Sequence, residues 1–188
     1  VLIIGAGAAG LFCAALAGQR GRRVVVLDHA NKPGKKILMS GGGRCNFTNY
    51  YIEPERYLSH NPHFCKSALS RYTQWDFIAL VDAHAIAWHE KTLGQLFCDI
   101  SAKQIIAMLR DLMQKAGVEL RLQSTVEQIE KTDSGFSMSL VTPQGATRVT
   151  ANQLVIATGG KSIPKMGATG RAYDIAIQFG IPVTDTRP

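Results

Sequence analysis

The apolar run Val1-Leu-Ile-Ile4 predicts a strand buried on both faces, and it leads directly into Gly5-x-Gly7-x-x-Gly10. An amphipathic helix is predicted next, followed by Gly21 and a second strand, Val24-Val-Val-Leu27, that ends at Asp28. Residues 61–88 predict a helical pair. Asn61-Pro62 resembles a cap with Pro at the first helical position, and Thr73-Gln-Trp-Asp76 fits a capping box. Ser101-x-x-Gln104 opens a strongly amphipathic helix with Ile105, Leu109, Leu112 and Ala116 on one face and Gly117 as its terminal cap. Val118–Leu122 then alternates as a third parallel strand. Short alternating segments follow at Val126–Ile129, Phe136–Leu140 and Thr147–Val149, with turns at Asp133-Ser-Gly135 and Pro143-Gln-Gly145. They predict an antiparallel meander inserted as a crossover in an α/β domain. A further buried strand, Leu154-Val-Ile-Ala-Thr-Gly-Gly160, leads to a loop over 161–170 and a helix over about 171–179.

The glycines at the first strand end have separate physical tasks. Gly5 permits the tight turn, Gly7 lets backbone approach a pyrophosphate, and Gly10 lets the helix pack closely on the strand. The free N–H groups and positive dipole end of that helix face the phosphates. Asp28, about twenty residues on, suits the 2′-hydroxyl of an adenosine ribose and would repel a 2′-phosphate. Its plainer alternative is a solvated turn carboxylate. Together these features predict a βαβ dinucleotide fold.

The stretch from Ile37 to Asn49 is the most unusual in the chain. Gly41, Gly42 and Gly43 would destabilise a helix or strand interior, yet they suit backbone that passes close to a flat ligand or takes positive φ. Arg44, Cys45, Asn46 and Asn49 place a fixed cation and several hydrogen-bonding groups directly beyond. The alternative is a flexible surface loop. Lys32-Pro-Gly-Lys-Lys36 is a basic loop able to flank phosphates, although charge runs are more often solvated. The histidines at 60, 63, 84 and 89 show no metal-binding spacing, and no metal is expected. Trp75 and Trp88 are expected as packing residues.

Composition narrows the classes further. The 188 residues are 46% hydrophobic, enough for one sizeable core, and no apolar stretch approaches a membrane span. Cys13, Cys45, Cys65 and Cys98 are scattered without a C-x-x-C pair, which fits reduced thiols in a cytoplasmic protein and argues against a dithiol redox enzyme. No signal peptide is expected, and a few residues are expected to precede Val1. The net charge of +7 fits either a basic soluble enzyme or one with a polyanionic partner such as RNA. Neither a Ser/His/Asp set nor paired carboxylates point to hydrolysis.

The extended glycine pattern, the meander crossover and Ala157-Thr-Gly159 together resemble the FAD-binding fold of the two-dinucleotide-domain flavoproteins related to glutathione reductase. The fold class implied is α/β, a Rossmann-like FAD-binding parallel sheet with an inserted antiparallel β-meander. More closely, Ser40-Gly-Gly-Gly-Arg-Cys-Asn-Phe-Thr-Asn49, Leu154–Gly160, Gly94-Gln-Leu-Phe-Cys98 and Gly167-Ala-Thr-Gly170 resemble the BaiN/YhiN-like family of NAD(P)/FAD-dependent oxidoreductases, in its YhiN branch. Cys98 stands where many members have Pro, and Ala172 where many have Gly. The resemblance implies that residues 1–188 are the N-terminal part of an FAD-binding domain. An inserted second domain and the completion of the FAD domain are expected beyond 188.

Carried over by residue, the resemblance implies that Gly5, Gly7, Ala8, Ala9 and Gly10 hold the pyrophosphate. Asp28 would bind the adenosine ribose, with His29 and Lys36 nearby, and Val126 would meet adenine through its backbone. Ser40, Gly41, Gly42, Arg44 and Asn46 would run beside the ribityl and isoalloxazine, and Ala157, Thr158 and Gly159 would close over the cofactor. Arg44 and Cys45 are the candidate catalytic residues, the first (or else a helix N-terminus such as Thr169-Gly170) to stabilise reduced flavin and the second as an acid or, alternatively, a structural thiol. The implied activity is FAD-dependent reduction recharged by NAD(P)H, with a uridine in ribosomal RNA as the YhiN-branch substrate. No DNA or membrane partner is implied. An NAD-dependent dehydrogenase would leave the meander and Gly41–Asn46 unexplained, and a non-catalytic FAD-binding module is the other alternative.

Overall fold

A computed structural model describes residues 1–161 and 169–186. In chain order the elements open with β1 (Leu2–Ile4), α1 (Ala8–Gln19), β2 (Val25–Leu27) and α2 (Lys35–Met39). Then come β3 (Asn46–Asn49), α3 (Lys66–Arg71), α4 (Gln74–Ala83), β4 (Trp88–Glu90) and β5 (Gln95–Cys98). The remainder holds α5 (Lys103–Lys115), β6 (Glu119–Arg121), β7 (Thr125–Thr132), β8 (Gly135–Thr142), β9 (Gly145–Ala151), β10 (Leu154–Ile156) and α6 (Arg171–Gln178). They form two compact units, one of residues Val1–Lys36 and Leu109–Pro188, the other of Ile37–Met108.

In the first unit three short apolar strands and the alternating β6 form a parallel sheet in the order β10-β1-β2-β6. Leu2 pairs with both Val25 and Leu154, so all the strand ends that carry the glycine turn, Asp28 and Ala157 fall at one edge. The predicted meander is present as β7-β8-β9. Its inward side chains Ile129, Met138 and Leu140 share one core with Leu2, Ile4 and Leu27 of the sheet and Ile175 of α6. Each such fully buried aliphatic side chain contributes about 1.5–3 kcal/mol by leaving water. Arg171 and Gln178 of α6 donate side-chain hydrogen bonds to the Val126, Glu127 and Ile129 carbonyls of β7, one of the two outer strands of that meander.

Helix α1 departs from its expected amphipathic pattern. Its sequence is almost wholly apolar, AAGLFCAALAGQ, with Gly10, Leu11, Ala14 and Ala15 buried. Small residues replace a polar face here, because the helix packs closely: a Cβ at Gly18 would meet Ala116 at 2.8 Å.

The second unit contains a sheet that the sequence patterning did not predict. Its antiparallel strands run β3-β5-β4. They are three or four residues long and mixed in polarity, so no period-2 signal builds up. The Thr73 capping box is present: the Thr73 N–H donates to the Asp76 carboxylate at 2.7 Å, and the Asp76 N–H to the Thr73 hydroxyl at 3.3 Å. The bond from the Thr73 N–H, and a second to the same carboxylate from the Thr73 hydroxyl at 2.7 Å, hold the Asp76 carboxyl below its ordinary range. Asn61-Pro62 does not open a helix. The Asn61 side chain accepts from the His63 N–H, a local turn that competes with helix, and α3 begins only at Lys66. Trp88 packs edge-on to Phe47 and Tyr50 and donates its indole N–H to Asp82, while Trp75 stacks on Tyr50. Among the described residues no helix is long and apolar enough to cross a membrane.

Candidate dinucleotide site

Two of the three glycines in the first turn are demanded by the protein's own packing. A Cβ on Gly5, whose φ is +112°, would strike the Ala157 carbonyl, and one on Gly10 would strike the Gly5 carbonyl. Gly7 differs. A Cβ there meets nothing within 4 Å, and its φ of −84° is open to any residue. Space in front of Gly7 is therefore not filled by the chain, as an approaching ligand requires. Helix α1 begins at that point with no side-chain cap and no acidic residue in its first turn, and Ala8 and Ala9 are exposed. An uncapped, exposed helix start offers N–H groups and a positive dipole end to an anion.

Asp28 holds this turn together. One carboxylate oxygen accepts from the Ala6 N–H at 2.6 Å and the other from the Ala30 N–H at 2.8 Å. The side chain is only 14% exposed, and the His29 ring lies 3.6 Å away with 63% of its side chain in solvent. Asp28 is thus neither a loose turn carboxylate nor free of structural duty, since each of its oxygens already serves one backbone donor. A carboxylate oxygen has two lone pairs, so a ribose hydroxyl can still be accepted.

The β10 exit joins the same place. Lys36 donates to the Gly160 carbonyl at 3.3 Å, and Gly159 takes φ +76° beside the Lys36 ammonium. The Thr158 hydroxyl oxygen is buried with no hydrogen-bond partner among the described residues. A buried hydroxyl of this kind leaves a position that a ligand's polar group can take. These features, with the gap before Gly7, fit a dinucleotide. Gly5, Gly7, Ala8, Ala9, Gly10, Asp28, His29, Lys36, Ala157, Thr158 and Gly159 are therefore gathered in the first unit. Val126 lies in that unit on β7, where its carbonyl accepts from Arg171 at 3.3 Å. Gly167 and Ala168 of the expected 161–170 loop lie outside the described residues.

Ser40, Gly41, Gly42, Arg44, Cys45 and Asn46 belong to the second unit and form a tight left-handed turn. Gly41 and Gly42 have φ of +59° and +66°, and Cys45, unusually for a residue with a side chain, has +53°. The turn is pinned by Cys45 N–H to the Ser40 carbonyl at 3.0 Å, Cys98 N–H to Arg44 at 2.9 Å and Ala102 N–H to Gly43 at 2.7 Å. It is thus a built turn, whereas the alternative of a loose surface loop lacks such anchors. Arg44 is exposed, and Cys45 and Cys98 are buried. Burial pushes the Cys45 thiol up, against a smaller lowering from its bond with Ser40. Cys98 is pushed up to about 11, by burial first and then by Cys45. Both stay protonated near neutral pH. Sequence patterning missed Phe97, whose ring leaves no room for a Cβ at Gly41, and it missed Arg171. A cation at the first position of a helix was the available signal for the latter.

The model of the HI0933-like protein Rossmann domain matches residues 1–186. The chain belongs to that family. Its resemblance to the BaiN/YhiN-like proteins therefore stands. A family relative from Escherichia coli (strain K12), named ribosomal RNA dihydrouridine synthase, is 62% identical over 186 residues, 99% of this chain and 46% of the relative. One from Clostridium scindens, named 3-dehydro-bile acid delta(4,6)-reductase, is 26% identical over 190 residues, 99% of this chain and 45% of the relative. The chain spans less than half the length of these curated relatives. Among solved structures, the open conformation of a flavocytochrome c3 fumarate reductase shares the fold. Its TM-score is 0.64 at 20% identity, over 94% of this chain and 39% of that one.

Proposed function

We propose that this chain is the dinucleotide-binding part of an FAD-dependent oxidoreductase that reduces a uridine of ribosomal RNA to dihydrouridine at the expense of NAD(P)H. The observation that carries the cofactor is Gly7, the one glycine of the first turn that no packing requires and whose φ is open to any residue, set before an uncapped helix. Gly7, Ala8, Ala9 and Gly10 hold the pyrophosphate. Asp28 and the neighbouring His29 take the ribose, Val126 the adenine, and Ala157–Gly159 with Lys36 close the β10 side. Ser40–Asn46 supply the flavin contacts, as the family resemblance implies. Bound FAD would carry two electrons from the nicotinamide donor to the substrate. The RNA substrate is supported by the name of the 62%-identical relative and by the basic charge of the first unit.

The test is to denature the intact protein and chromatograph what it releases. FAD is expected, and release of nicotinamide dinucleotide without FAD would overturn the cofactor. Incubation of the loaded protein with NADPH or NADH and unmodified ribosomal RNA should yield dihydrouridine by mass spectrometry. Cofactor oxidation without a mass gain of two hydrogens on the RNA would overturn the substrate.

A further inference from the structure

The entrance to β7 is fastened to the loop that carries Asp28. Ser124 donates its N–H to the Asp28 carbonyl at 2.9 Å, and Gln123 donates to the Ala30 carbonyl at 3.0 Å. In the proposed reading the ribose meets Asp28 and the adenine meets the Val126 backbone, two residues beyond Ser124, so these bonds tie the two contacts together. There the β7–β8 ladder shifts register between Val126 and Gln128, leaving Glu127 as the extra residue of a bulge. A bulge frees backbone groups from the ladder and aims them elsewhere.

Arg171 holds that bulge. Its guanidinium donates to the Glu127 carbonyl at 2.6 Å and to the Val126 carbonyl at 3.3 Å. A peptide unit is planar, so fixing the Val126 and Glu127 carbonyls also fixes where the Glu127 and Gln128 N–H groups point. Arg171 is the first residue of α6, where a cation meets the positive end of the helix dipole and is disfavoured. The helix itself gains nothing from an arginine there. The same turn also reaches the β10 exit. A Cβ on Gly160 would lie 2.8 Å from the Tyr173 hydroxyl, and the Lys161 ammonium is 5.8 Å from the Tyr173 ring centre.

We propose that Arg171 is a positioning residue for the adenosine end of the dinucleotide, acting through the Val126–Gln128 bulge. The proposal rests on the dinucleotide reading above and adds a specificity-determining residue to it. It separates the two halves of FAD: losing Arg171 loosens the backbone that meets the base while the glycine turn stays intact.

The experiment measures Kd for FAD, ADP and FMN on apoprotein prepared from the intact protein, with thermal melts alongside. Arg171→Met is expected to weaken FAD and ADP by about tenfold, the scale of one lost charge-assisted hydrogen bond, with FMN unchanged. Arg171→Lys, which keeps the charge but not the planar fork, should restore part of the loss. If Arg171→Met does not fold, the lysine variant carries the same comparison. Gln178→Met removes the bond from the same helix to the Ile129 carbonyl and should leave all three ligands unchanged. Equal losses for ADP and FMN, an unchanged ADP affinity, or the same loss in Gln178→Met would overturn the proposal. A wild-type protein that binds neither FAD nor ADP would instead overturn the dinucleotide reading itself.

Discussion

Fifteen of the chain's twenty-one Lys and Arg residues lie in the unit with the parallel sheet, against eight of its fourteen Asp and Glu; the other unit has six of each. The second unit instead carries eight of the twelve large apolar residues exposed among the described residues, including Leu58 at 95% and Phe64 at 80%. The whole net charge of +7 thus falls in the sequence segments of the first unit. Long-range attraction of a phosphate-bearing ligand is a property of the first unit, whereas the second presents an electrically balanced surface of aromatic and aliphatic groups. Charge read over the whole chain hides this division.

The largest effect that tests the division lies in the glycine turn. Gly10→Ala drives a Cβ into the Gly5 carbonyl and should destabilise the first unit by about 3 kcal/mol, the upper end for overpacking. Gly7→Ala meets no atom of the chain and should change stability by less than about 0.5 kcal/mol. It should nonetheless weaken FAD, because the methyl enters the ligand's space. Urea unfolding beside FAD titration checks both, and similar unfolding midpoints for the two variants would erase the distinction drawn between these glycines.

Asp28→Ala comes next. It leaves the Ala6 and Ala30 N–H groups without their acceptor, so a loss of about 1–3 kcal/mol in stability should accompany weaker FAD binding. A variant with full stability and weakened FAD would mean that the carboxylate serves the ribose alone.

The smallest effect belongs to the second unit. Thr73→Ala removes a helix cap and should cost about 1 kcal/mol without altering FAD affinity. The Asp76 carboxyl in that cap has its pKa lowered by Thr73, so its contribution is present above the ordinary value of 3.8 and is lost as pH falls through the folded value. Asp76→Asn, which removes the titrating group, should therefore flatten the acid limb of the stability curve below that pH, and Thr73→Ala, which keeps the backbone N–H, should do so only in part. An unchanged acid limb would remove Asp76 from the account.

Much of the first unit was legible in the sequence. Three apolar runs, the alternating strand over 118–122, the three alternating meander segments and the glycine spacing are each distinct enough to be counted. The Thr73 and Ser101 starts were legible for a different reason, since capping is a local chemistry of four residues. The second unit's sheet was not legible: Asn46–Asn49 and Trp88–Glu90 are short and largely polar, and they become strands only by pairing with Gln95–Cys98. At the site, residue types pointed to Asp28 and Lys36. They did not reveal that Asp28 also ties the glycine turn, because that bond joins positions 6 and 28. Arg171 escaped because its partners are carbonyls more than forty residues away, which no side-chain pattern records.

The hydrogen bonds from α6 to β7 also bear on association between molecules. The outer strand of a three-stranded sheet is ordinarily a template on which another chain can add itself, residue by residue, and so begin a fibre. On β7 the Val126, Glu127 and Ile129 carbonyls are already taken by Arg171 and Gln178, and the bulge breaks the straight run that an incoming strand would need. The helix that braces the meander thereby also guards one of its two edges, that of β7, against self-assembly.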